Sequence, residues 1–576
     1  MALDSEFGRK TDLKRPLQEY PRMWMQRDSY TNLNGVWEYQ ITAFRAAPVQ
    51  NAWKKINVPF ALGTKLSGAP EILQPDQALW YRKQFSYQPS IMHTWLNFEA
   101  VDQKCTVYMN GIEIGSHEGG YTPFSFDVSS TIKYQNSLMV RCTDSSDQSV
   151  YAYGKQKLKH GGMWYTPTAG IWQTVWLEDT GEHAVHDIKI TPDFDAAKVH
   201  IDLAGTFSQA AITIGDGKRA VHRGMMTGRH YVADIPDMHP WTPDDPFLYD
   251  VYVQTEDDII KSYFGMRKFS AGHDAEGTVR FCLNNRPLFF SGLLDQGYTS
   301  DSGMTFPSDE AMVYELKKIK DMGFNMLRKH VKAECRRWYY HCDRLGILVM
   351  QDMMSGGSYD YNYQTVWPTL GFKAKDDHDN ARLGRAGAKA QEVYYMELDA
   401  LLDTLYNSVS LFAWCPFNEG WGQFDSEKVT EHIRAYDSTR LIDSASGWFD
   451  MGVGDFSSIH DYFFPYRAKK DKKNRIVILS EFGGYSYLEW GHSEAEKLYG
   501  YRKFKEKLAL DEAVQKLYEN MILKNIRRGL SGCIYTQVSD IEDECNGIFT
   551  ADRKIIKIDE RKMRRMNDRL IRRTIK

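Results

Sequence analysis

The sequence lacks any long apolar run. No stretch of the 576 residues approaches the roughly 18 consecutive apolar residues of a membrane-spanning helix. The N-terminus lacks the apolar stretch of a secretory signal peptide. The eight cysteines are scattered, and no two of them form a Cys-x-x-Cys pair. These absences predict free thiols, no contact with a membrane and a reducing compartment, so we expect a cytoplasmic location.

An excess of charge of one sign is also absent. The net charge is −4, which gives no reason to expect binding to nucleic acid or to an anionic membrane. With 42% hydrophobic and 26% charged residues, the chain is expected to fold as a soluble globular protein. Aromatic residues are abundant at 13%. Most of them are expected to pack in cores and sheets, but aromatic faces also suit sugar rings.

Two glutamates follow short apolar runs. Glu419 lies in Phe-Asn-Glu-Gly-Trp after the run that begins at Leu411, and Glu481 lies in Ser-Glu-Phe-Gly-Gly after the run that begins at Ile476. Each run is typical of a strand buried on both faces. In a barrel of parallel strands, the ends of all strands open on one face, where active sites are built. Two carboxylates presented in this way are the basic requirement for cleaving a glycosidic bond.

Three patterns of sequence follow one another along the chain. Residues 1–182 contain many short strands, with a hairpin predicted at Asn110-Gly111, and indicate a jelly-roll β-sandwich. Residues 183–272 continue the alternation and indicate an immunoglobulin-like β-sandwich. From 273 to 576, strand-like and helical runs alternate, and the length matches a (β/α)₈ TIM barrel.

Within the predicted barrel, two helices have clear boundaries. Residues 310–322 have helical periodicity after Ser308, a good N-cap residue, and residues 336–345 read as a helix that ends at Gly346. Residues 351–390 have no clear periodicity. Loops of this length in compact domains are usually functional or disordered, so we expect this one to cover the active-site face if it follows the third barrel strand.

Short motifs along the chain form an ordered set: Leu33-Asn-Gly-Val-Trp37, Leu79-Trp-Tyr-Arg82, Tyr108-Met-Asn-Gly111, Gly170-Ile-Trp-Gln173, Trp241–Tyr249, Phe264-Gly-Met-Arg267, Met322-Gly-Phe-Asn325, Cys342-Asp-Arg-Leu-Gly346, Phe417-Asn-Glu419 and Ser480-Glu481. The set resembles glycoside hydrolase family 2, the β-galactosidase and β-glucuronidase family. The resemblance covers nearly the whole chain. It implies a glycoside or oligosaccharide substrate, and because sandwich domains in this family often support dimers or tetramers, a homo-oligomer.

The resemblance also implies roles for residues at matching positions. Glu419 matches the general acid/base, and Asn418 before it matches the asparagine that contacts the sugar 2-hydroxyl. Glu481 matches the nucleophile, Arg328 the arginine that holds the nucleophile ionised, and Tyr462 the tyrosine beside it. A retaining enzyme needs its two carboxyl groups about 5–5.5 Å apart, so we expect that separation here.

Further candidates for substrate binding lie near predicted strand ends or near the two glutamates. His330 and Lys332 share a strand end with Arg328, and Trp448 is a plausible platform for a sugar ring. Trp421 belongs to the aromatic setting of Glu419, which could raise the pKa of that acid by desolvation. The complete set of these candidates is His330, Lys332, Trp448, Asp295, Gln296, Asp352, Trp421 and Tyr535.

Three stretches depart from the family pattern, one of which is Asn407-Ser-Val-Ser410, where Asn-His-Pro-Ser is common before the acid/base strand. Many members carry Gly-x-Asn-Arg-His-Glu after the first barrel strand, where this chain has Gly292-Leu-Leu-Asp-Gln-Gly297. The usual Arg-Thr-Ser-His after the second strand is Arg328-Lys-His330 here, one residue shorter between Arg and His. These changes remove histidines that bind metal or substrate in well-known β-galactosidases. We therefore predict neither a metal nor a cofactor.

The identity of the sugar stays open between alternatives. Residues 544–553 lack the lysine of the Asn-x-Lys motif with which glucuronidases of the family recognise the sugar carboxylate, but Lys329 and Lys332 offer another route to a carboxylate. The first interpretation is a retaining exo-β-glycosidase, most similar to β-galactosidases. The second is a β-glucuronidase or another β-glycosidase of the family. The third is a carbohydrate-binding protein without catalysis.

Overall fold

The computed structural model describes residues 3–372, 376–378, 381–495 and 497–575. After the short helix α1 (Glu6–Lys10), two sheets with strand orders β1-β12-β5-β9 and β3-β2-β4-β10-β7-β8 pack around one apolar core, as the predicted sandwich requires. Strands β1 to β12 are Tyr30–Asn32, Gly35–Ala43, Lys54–Val58, Gln77–Ser86, His93–Phe98, Val101–Asp102, Lys104–Met109, Ile112–Glu118, Phe124–Asp127, Gln135–Thr143, Gly170–Ile171 and Val175–Thr180.

The predicted hairpin at Asn110-Gly111 is present. Met109 of β7 pairs with Ile112 of β8, which leaves a two-residue turn between them. Asn110 has φ 53° and Gly111 has φ 83°. Asn-Gly is favoured in such turns because both central residues need positive φ.

A second sandwich follows at residues 185–264. Its seven strands form one sheet of three (β13-β14-β17) and one of four (β16-β15-β18-β19) around a separate apolar core. Seven strands in two sheets are typical of immunoglobulin-like sandwiches. Strands β13 to β19 are Val185–Asp193, Lys198–Gly205, Gln209–Gly215, Ala220–Thr227, His230–Asp234, Tyr249–Gln254 and Ile259–Phe264. The domain boundaries near residues 182 and 272 stay predictions.

A small antiparallel sheet, not expected from the sequence, precedes the barrel. It consists of β20 (Phe269–His273), β21 (Val279–Leu283) and β22 (Arg286–Pro287). The ring centroid of Phe281 in β21 lies 5.6 Å from that of Phe290 and 5.0 Å from that of Phe412. Both partners stand at the beginnings of barrel strands, so this sheet covers the end of the barrel opposite to the strand ends that carry the site.

The barrel itself has eight parallel strands in the order β27-β26-β25-β24-β23-β32-β29-β28. The barrel is nearly closed, because its two end strands β27 and β28 approach each other where the amide of Asp455 donates to the carbonyl of Ile442 at 2.8 Å. The strands are β23 (Phe290–Asp295), β24 (Met326–Lys329), β25 (Leu348–Asp352), β26 (Leu411–Cys415), β27 (Leu441–Ile442), β28 (Phe456–Asp461), β29 (Ile476–Gly483) and β32 (Leu530–Thr536), with the outlying pair β30 (Tyr485–Tyr487) and β31 (Arg502–Phe504).

The helices of the barrel agree well with the two predicted ones. Helix α2 is capped by Ser308, whose hydroxyl accepts from the amide of Ala311 at 3.2 Å, and α3 ends at Gly346 with φ 72°. Helices α2 to α9 are Asp309–Asp321, Arg336–Leu345, Trp367–Thr369, Ala388–Leu405, Ser426–Tyr436, Lys507–Leu517, Lys524–Ile526 and Glu560–Ile575. Short 3₁₀ turns span Ser146–Gln148 and Ala381–Leu383, and π-helical turns span Asn362–Val366 and Tyr518–Leu523.

The expectation of one helix after each barrel strand is only partly met. The connections after β27 (443–455) and after β28 (462–475), which are both fully described, contain no helix. Glycines at 447, 452 and 454 interrupt the first connection, and Pro465 interrupts the second. Both residue types weaken a helix interior.

The long loop that was expected to cover the site begins after β25, the third barrel strand, and reaches that face. Gln364 donates through Nε2 to the carbonyl of Gly420 at 2.9 Å, and its own carbonyl accepts from Trp448 at 2.9 Å. Residues 373–375 and 379–380 of this loop lie outside the described residues. Within the described ranges, no helix is long and apolar enough to cross a membrane.

Candidate active site

Glu419 lies in a tight turn just beyond β26. The amide of Trp421 donates to the carbonyl of Asn418 at 2.9 Å, and the amide of Glu419 donates to the carbonyl of Ser446 at 2.9 Å. Glu419 has φ 52°, a left-handed conformation that few residues other than glycine adopt. Such backbone strain is concentrated at functional sites, where surrounding contacts hold it in place.

The sequence predicts that Glu481 follows the end of its strand. In the structure, Glu481 lies within the strand, near its carboxyl end. Strand β29 runs from Ile476 to Gly483, and its register with β32 shifts between Leu479 and Phe482. Irregular pairing of this kind bends a strand and redirects its side chains. The side chain of Glu481 is 6% exposed, whereas that of Glu419 is 20% exposed.

The two carboxylates meet around a histidine. Carboxylate oxygens of Glu419 and Glu481 and a ring nitrogen of His460 all lie within 4.8 Å of one another. His460 Nδ1 is 2.7 Å from Glu419 Oε1, and His460 Nε2 is 3.5 Å from Glu481 Oε1. The two acids that lie 62 residues apart in the sequence are therefore neighbours across the barrel mouth.

Arg328, at the end of β24, connects the nucleophile candidate to its surroundings. Its Nη1 donates to Glu481 Oε1 at 3.1 Å, its Nη2 to Asn418 Oδ1 at 2.8 Å and its Nε to Asp352 Oδ1 at 2.9 Å. The guanidinium is fully buried. Burial disfavours its charge, but the negative charges around it, above all that of Asp352, raise the pKa of Arg328 well above its ordinary value. Arg328 is thus a permanent buried cation beside Glu481.

Tyr462 completes the surroundings of Glu481. Its hydroxyl donates to Glu481 Oε2 at 2.5 Å and lies 3.0 Å from Thr536 Oγ1. Burial alone raises the pKa of Glu481. The positive charges of His460, His330 and Arg328, with the hydrogen bond from Tyr462, outweigh burial, and the net effect lowers the pKa of Glu481. The carboxylate is therefore held in its ionised form.

His330 and Asp352 stand behind Arg328. His330 Nδ1 is 2.7 Å from Asp352 Oδ2. Burial lowers the pKa of His330 even though the carboxylate of Asp352 opposes the shift. The pKa of Asp352 is lowered because Arg328 and His330 outweigh its burial. This pair fixes the guanidinium of Arg328 from the side away from Glu481.

The two candidate tryptophans flank the glutamates. The ring of Trp448 meets the ring of His460 edge-on, with centroids 5.6 Å apart. Trp421 is buried, and its ring centroid lies 5.2 Å from that of Trp164 and 5.6 Å from that of Tyr359. Trp421 therefore joins the barrel to an aromatic residue of the first sandwich.

Lys332 and Asp295 do not contact the two glutamates. Lys332 is fully buried, and its Nζ donates to the carbonyl of Met304 at 2.7 Å and also pairs with Glu334. Asp295 is held by Lys329, whose Nζ lies 2.6 Å from Asp295 Oδ2. These buried ion pairs brace the first two barrel strands at one side of the site.

Gln296 and Tyr535 also lie beside the cluster of Glu419, His460 and Glu481 and do not belong to it. Gln296 Nε2 donates to Gln537 Oε1 at 2.9 Å. The hydroxyl of Tyr535 accepts from the amide of Tyr485 at 3.3 Å, and the residue is 2% exposed. Its neighbour Thr536 makes the closer approach to the site, through Tyr462.

His460 is the residue that the sequence analysis missed. It contacts both glutamates, and its Nε2 is also 2.9 Å from Ser446 Oγ, which in turn donates to Ser480 Oγ at 3.0 Å. A signal was present: His460 directly precedes Asp461-Tyr462 at the end of β28. The strand end that presents Tyr462 therefore also presents His460 to the site.

A cation could be held by Glu419, His460 and Glu481, which offer three ligand atoms within 4.8 Å. Arg328 already supplies a positive charge 3.1 Å from Glu481 Oε1. A fixed guanidinium at this distance repels a second cation. The three residues are therefore better suited to acid–base chemistry than to holding a metal ion.

Two family models match the chain. The model described as "Glycosyl hydrolase 2 galactose-binding domain-like" matches residues 53–173, and "Glycosyl hydrolases family 2, TIM barrel domain" matches residues 277–558. A beta-galactosidase of Thermoanaerobacter pseudethanolicus is 26% identical over 307 residues, which cover 48% of this chain and 39% of that protein. A putative beta-glucuronidase of Formosa agariphila is 23% identical over 454 residues, or 72% of this chain and 40% of that protein. The chain thus spans about two fifths of the length of these curated relatives.

Solved structures share the whole fold. A beta-D-glucuronidase of Dictyoglomus thermophilum superposes with a TM-score of 0.74 at 16% identity and covers 96% of this chain and 98% of its own. A GH2 beta-galacturonidase of Eisenbergiella tayi superposes with a TM-score of 0.68 at 18% identity, covering 96% of this chain and 98% of its own. At these identities the likeness shows a shared fold and nothing further.

Proposed function

Since this chain belongs to glycoside hydrolase family 2, we propose that it is an exo-acting β-glycosidase that hydrolyses terminal β-linked sugars with retention of configuration. One observation carries the proposal. Oxygens of Glu419 and Glu481 lie within 4.8 Å of each other. Oxygens this close are consistent with the about 5–5.5 Å between the carboxyl groups of retaining enzymes, whereas the groups of inverting enzymes lie about 6.5–9.5 Å apart.

In the first step, Glu481 attacks the anomeric carbon while Glu419 donates a proton to the leaving oxygen. The glycosidic bond breaks, and an ester bond forms between the sugar and Glu481. The lowered pKa of Glu481 supports this role, because a nucleophile must be ionised. The hydrogen bonds from Arg328 and Tyr462 orient the attacking carboxylate.

In the second step, Glu419 takes a proton from water, the water oxygen attacks the anomeric carbon, and the ester bond to Glu481 breaks. Glu419 suits both duties because it is the more exposed of the two acids, so water and leaving group reach it. Once Glu481 is esterified, its negative charge is gone, and Glu419 is the carboxyl group left beside the anomeric carbon to act as the base.

Asn418 is proposed to bind the sugar 2-hydroxyl. Its Oδ1 accepts from Arg328, which orients the amide so that Nδ2 is left as a donor. Among the described residues, Asn418 Nδ2 has no hydrogen-bond partner. A donor held in this way stabilises the transition state when the 2-hydroxyl interaction strengthens.

For the glycone, a neutral sugar is favoured, with a β-galactoside first. Lys329 and Lys332, the two lysines with which a uronic acid was expected to be recognised, are both fully buried in ion pairs with Asp295 and Glu334. Neither is available to a substrate carboxylate. A β-glucuronidase remains the second candidate, supported by the names of the relatives alone.

The proposal is tested with a panel of nitrophenyl β-D-glycosides that includes the galactoside, glucoside, mannoside and glucuronide. Turnover of one sugar, reduced by at least about 10³-fold in Glu481→Gln and unchanged in the exposed control Glu427→Gln, is expected. Proton NMR of the first product formed should show the β anomer. A first-formed α anomer contradicts the retaining mechanism. Binding of a sugar without turnover in the unaltered protein favours a carbohydrate-binding function instead.

A further inference from the structure

A segment of the first sandwich, residues 151–168, crosses the mouth of the barrel. At one end, the amides of Tyr153 and Gly154 both donate to the carbonyl of Ser355 at 3.0 Å, in the loop after β25. At the other end, the amide of Thr166 donates to Glu542 Oε1 at 2.8 Å, in the connection after β32. The segment therefore forms one wall of the proposed active site.

Two lysines, Lys155 and Lys157, belong to this segment. The carbonyl of Lys155 accepts from the amide of Tyr165 at 2.8 Å, and the amide of Lys157 donates to the carbonyl of Tyr165 at 3.1 Å. The side chain between them, that of Gln156, turns inward, where its Oε1 accepts from the amide of Thr168 at 2.7 Å. Lys155 stands in a turn, where the amide of Gln156 donates to the carbonyl of Tyr153 at 3.3 Å, and its charge acts to lower the pKa of His330 behind Arg328.

The ammonium group of Lys157 rests on aromatic rings that lead to Glu419. It lies 3.7 Å from the ring centroid of Trp164 and 5.5 Å from that of Tyr359. The centroids of these two rings are 5.1 Å apart, and both rings contact Trp421, two residues beyond Glu419. The lysine thus lies on the side of Glu419, which is the side of the leaving group.

The described carboxylate that acts on the charge of Lys157 is that of Asp147, which forms no ion pair with it. Both lysines are half-buried, and neither forms an ion pair with any residue in the described ranges. The other lysines at this end of the barrel, Lys329, Lys332 and Lys557, are each paired with a buried carboxylate. Burial lowers the pKa of Lys157, although the charge of Asp147 opposes the shift. A half-buried cation without an anionic partner is suited to receive one from a ligand.

We propose that Lys157, Lys155 and Trp164 form a leaving-group subsite that selects substrates whose leaving-group sugar carries an anionic group, a carboxylate or a sulfate. The inference rests on the proposed glycosidase function, because it takes the side of Glu419 as the side of the leaving group. The sugar ring stacks on the aromatic rings, and the two ammonium groups receive the anionic substituent. The first sandwich then determines substrate choice as well as forming the wall.

The test uses β-linked disaccharides that carry the glycone identified by the nitrophenyl panel. The leaving-group sugar is glucose, glucuronic acid or glucose 6-sulfate, which separates the two sources of negative charge. For the unaltered protein, kcat/KM is expected to be at least about tenfold higher for one of the charged disaccharides than for the neutral one. In Lys157→Met the ratio of charged to neutral is expected to fall about tenfold, with a smaller fall in Lys155→Met. The exposed neighbour Lys159, replaced by Met, serves as the matched control and should keep the ratio.

Several outcomes overturn the proposal. The first is that the unaltered protein shows no preference for a charged leaving group. The second is that Lys157→Met leaves the ratio of kcat/KM for charged and neutral disaccharides unchanged. A third is a loss of the same size for the nitrophenyl glucuronide, which places the anion on the glycone instead. If no glycoside is cleaved at all, a titration with glucuronate, followed by tryptophan fluorescence, tests the subsite independently of hydrolysis. Binding that Lys157→Met weakens supports the subsite while the hydrolase function fails, and absent binding overturns both.

Discussion

The hydroxyl of Tyr462 donates a hydrogen bond of 2.5 Å to Oε2 of Glu481, on the carboxylate oxygen opposite to the one held by Arg328. The bond acts on Glu481, the proposed nucleophile, in two ways. It orients the carboxylate, and it contributes to the lowered pKa of Glu481. Because the two effects have separate experimental signatures, the role of Tyr462 is open to direct test.

Replacement of Tyr462 by Phe is expected to lower kcat about 10- to 100-fold, since a hydrogen bond to a charged group contributes about 1.5–3 kcal/mol. Removing a group that lowers the pKa of Glu481 raises that pKa. Because the reaction needs ionised Glu481, the acidic limb of the pH–rate profile should move to higher pH. Tyr501→Phe is the control, since the Tyr501 ring stacks on Tyr462 at 3.8 Å. An unmoved acidic limb would contradict this role.

His460 is predicted to matter as much as the residues that the sequence identified. His460→Gln removes the ring between the two carboxylates and is expected to reduce kcat/KM about 10- to 100-fold, as for lost acid–base positioning. The positive charge of His460 also helps to lower the pKa of Glu481, so its loss should again shift the acidic limb upward. His432→Gln, at a pair with Asp399 on the barrel exterior, is the matched control. Equal effects of the two substitutions would count against the assignment.

Glu419→Gln is predicted to show a dependence on the leaving group. A glutamine cannot donate the proton, so glycosides with poor leaving groups should lose about 10²–10⁴-fold in rate. Glycosides of dinitrophenol, whose leaving group needs no proton, should lose far less in the first step. Steady-state kinetics with a series of phenyl glycosides of graded phenol pKa measures how the loss of rate depends on the leaving group. A uniform loss across the series would argue against Glu419 as the acid.

The wall segment is tied to the barrel by a carboxylate with a raised pKa. Glu397 of α5 accepts from the amide of Ala152 with both oxygens at 3.1 Å. Burial raises the pKa of Glu397 from its ordinary value of 4.5 to about 7, although the charge of Arg385 opposes the shift. The folded protein therefore binds this proton more tightly than the unfolded chain does.

The sign of the resulting pH dependence follows from linkage. Stability from protonated Glu397 is fully present below about pH 4.5 and is lost as pH rises through 7, and the shift corresponds to about 3 kcal/mol. Glu397→Gln should be relatively more stable at pH 8 than at pH 5. Thermal unfolding of both proteins at the two pH values, with exposed Glu392→Gln of the same helix as control, checks this. The same pH response in all three proteins would rule out the raised pKa.

Much of the architecture can be predicted from the sequence because it depends on local interactions. The hairpin at Asn110-Gly111 forms because its residues accept positive φ, and helix α3 begins at Arg336 and ends at Leu345, as its periodicity and the glycine after it predict. The three-part order of two sandwiches and a barrel follows from periodicity, which burial on one or both faces imposes on each segment. Glu419 and Glu481 were identified by their place after apolar runs.

What the sequence determined by itself is therefore the chemistry available at each strand end and the class of each domain. The tertiary structure alone decided which groups meet. Folding of the barrel brings His460 between the two glutamates, draws Lys329 into a buried pair with Asp295, and leaves Lys157 at the mouth without an ion pair among the described residues. These outcomes depend on contacts between residues distant in the chain. Local periodicity reports burial but carries no information about which distant charge a side chain will face.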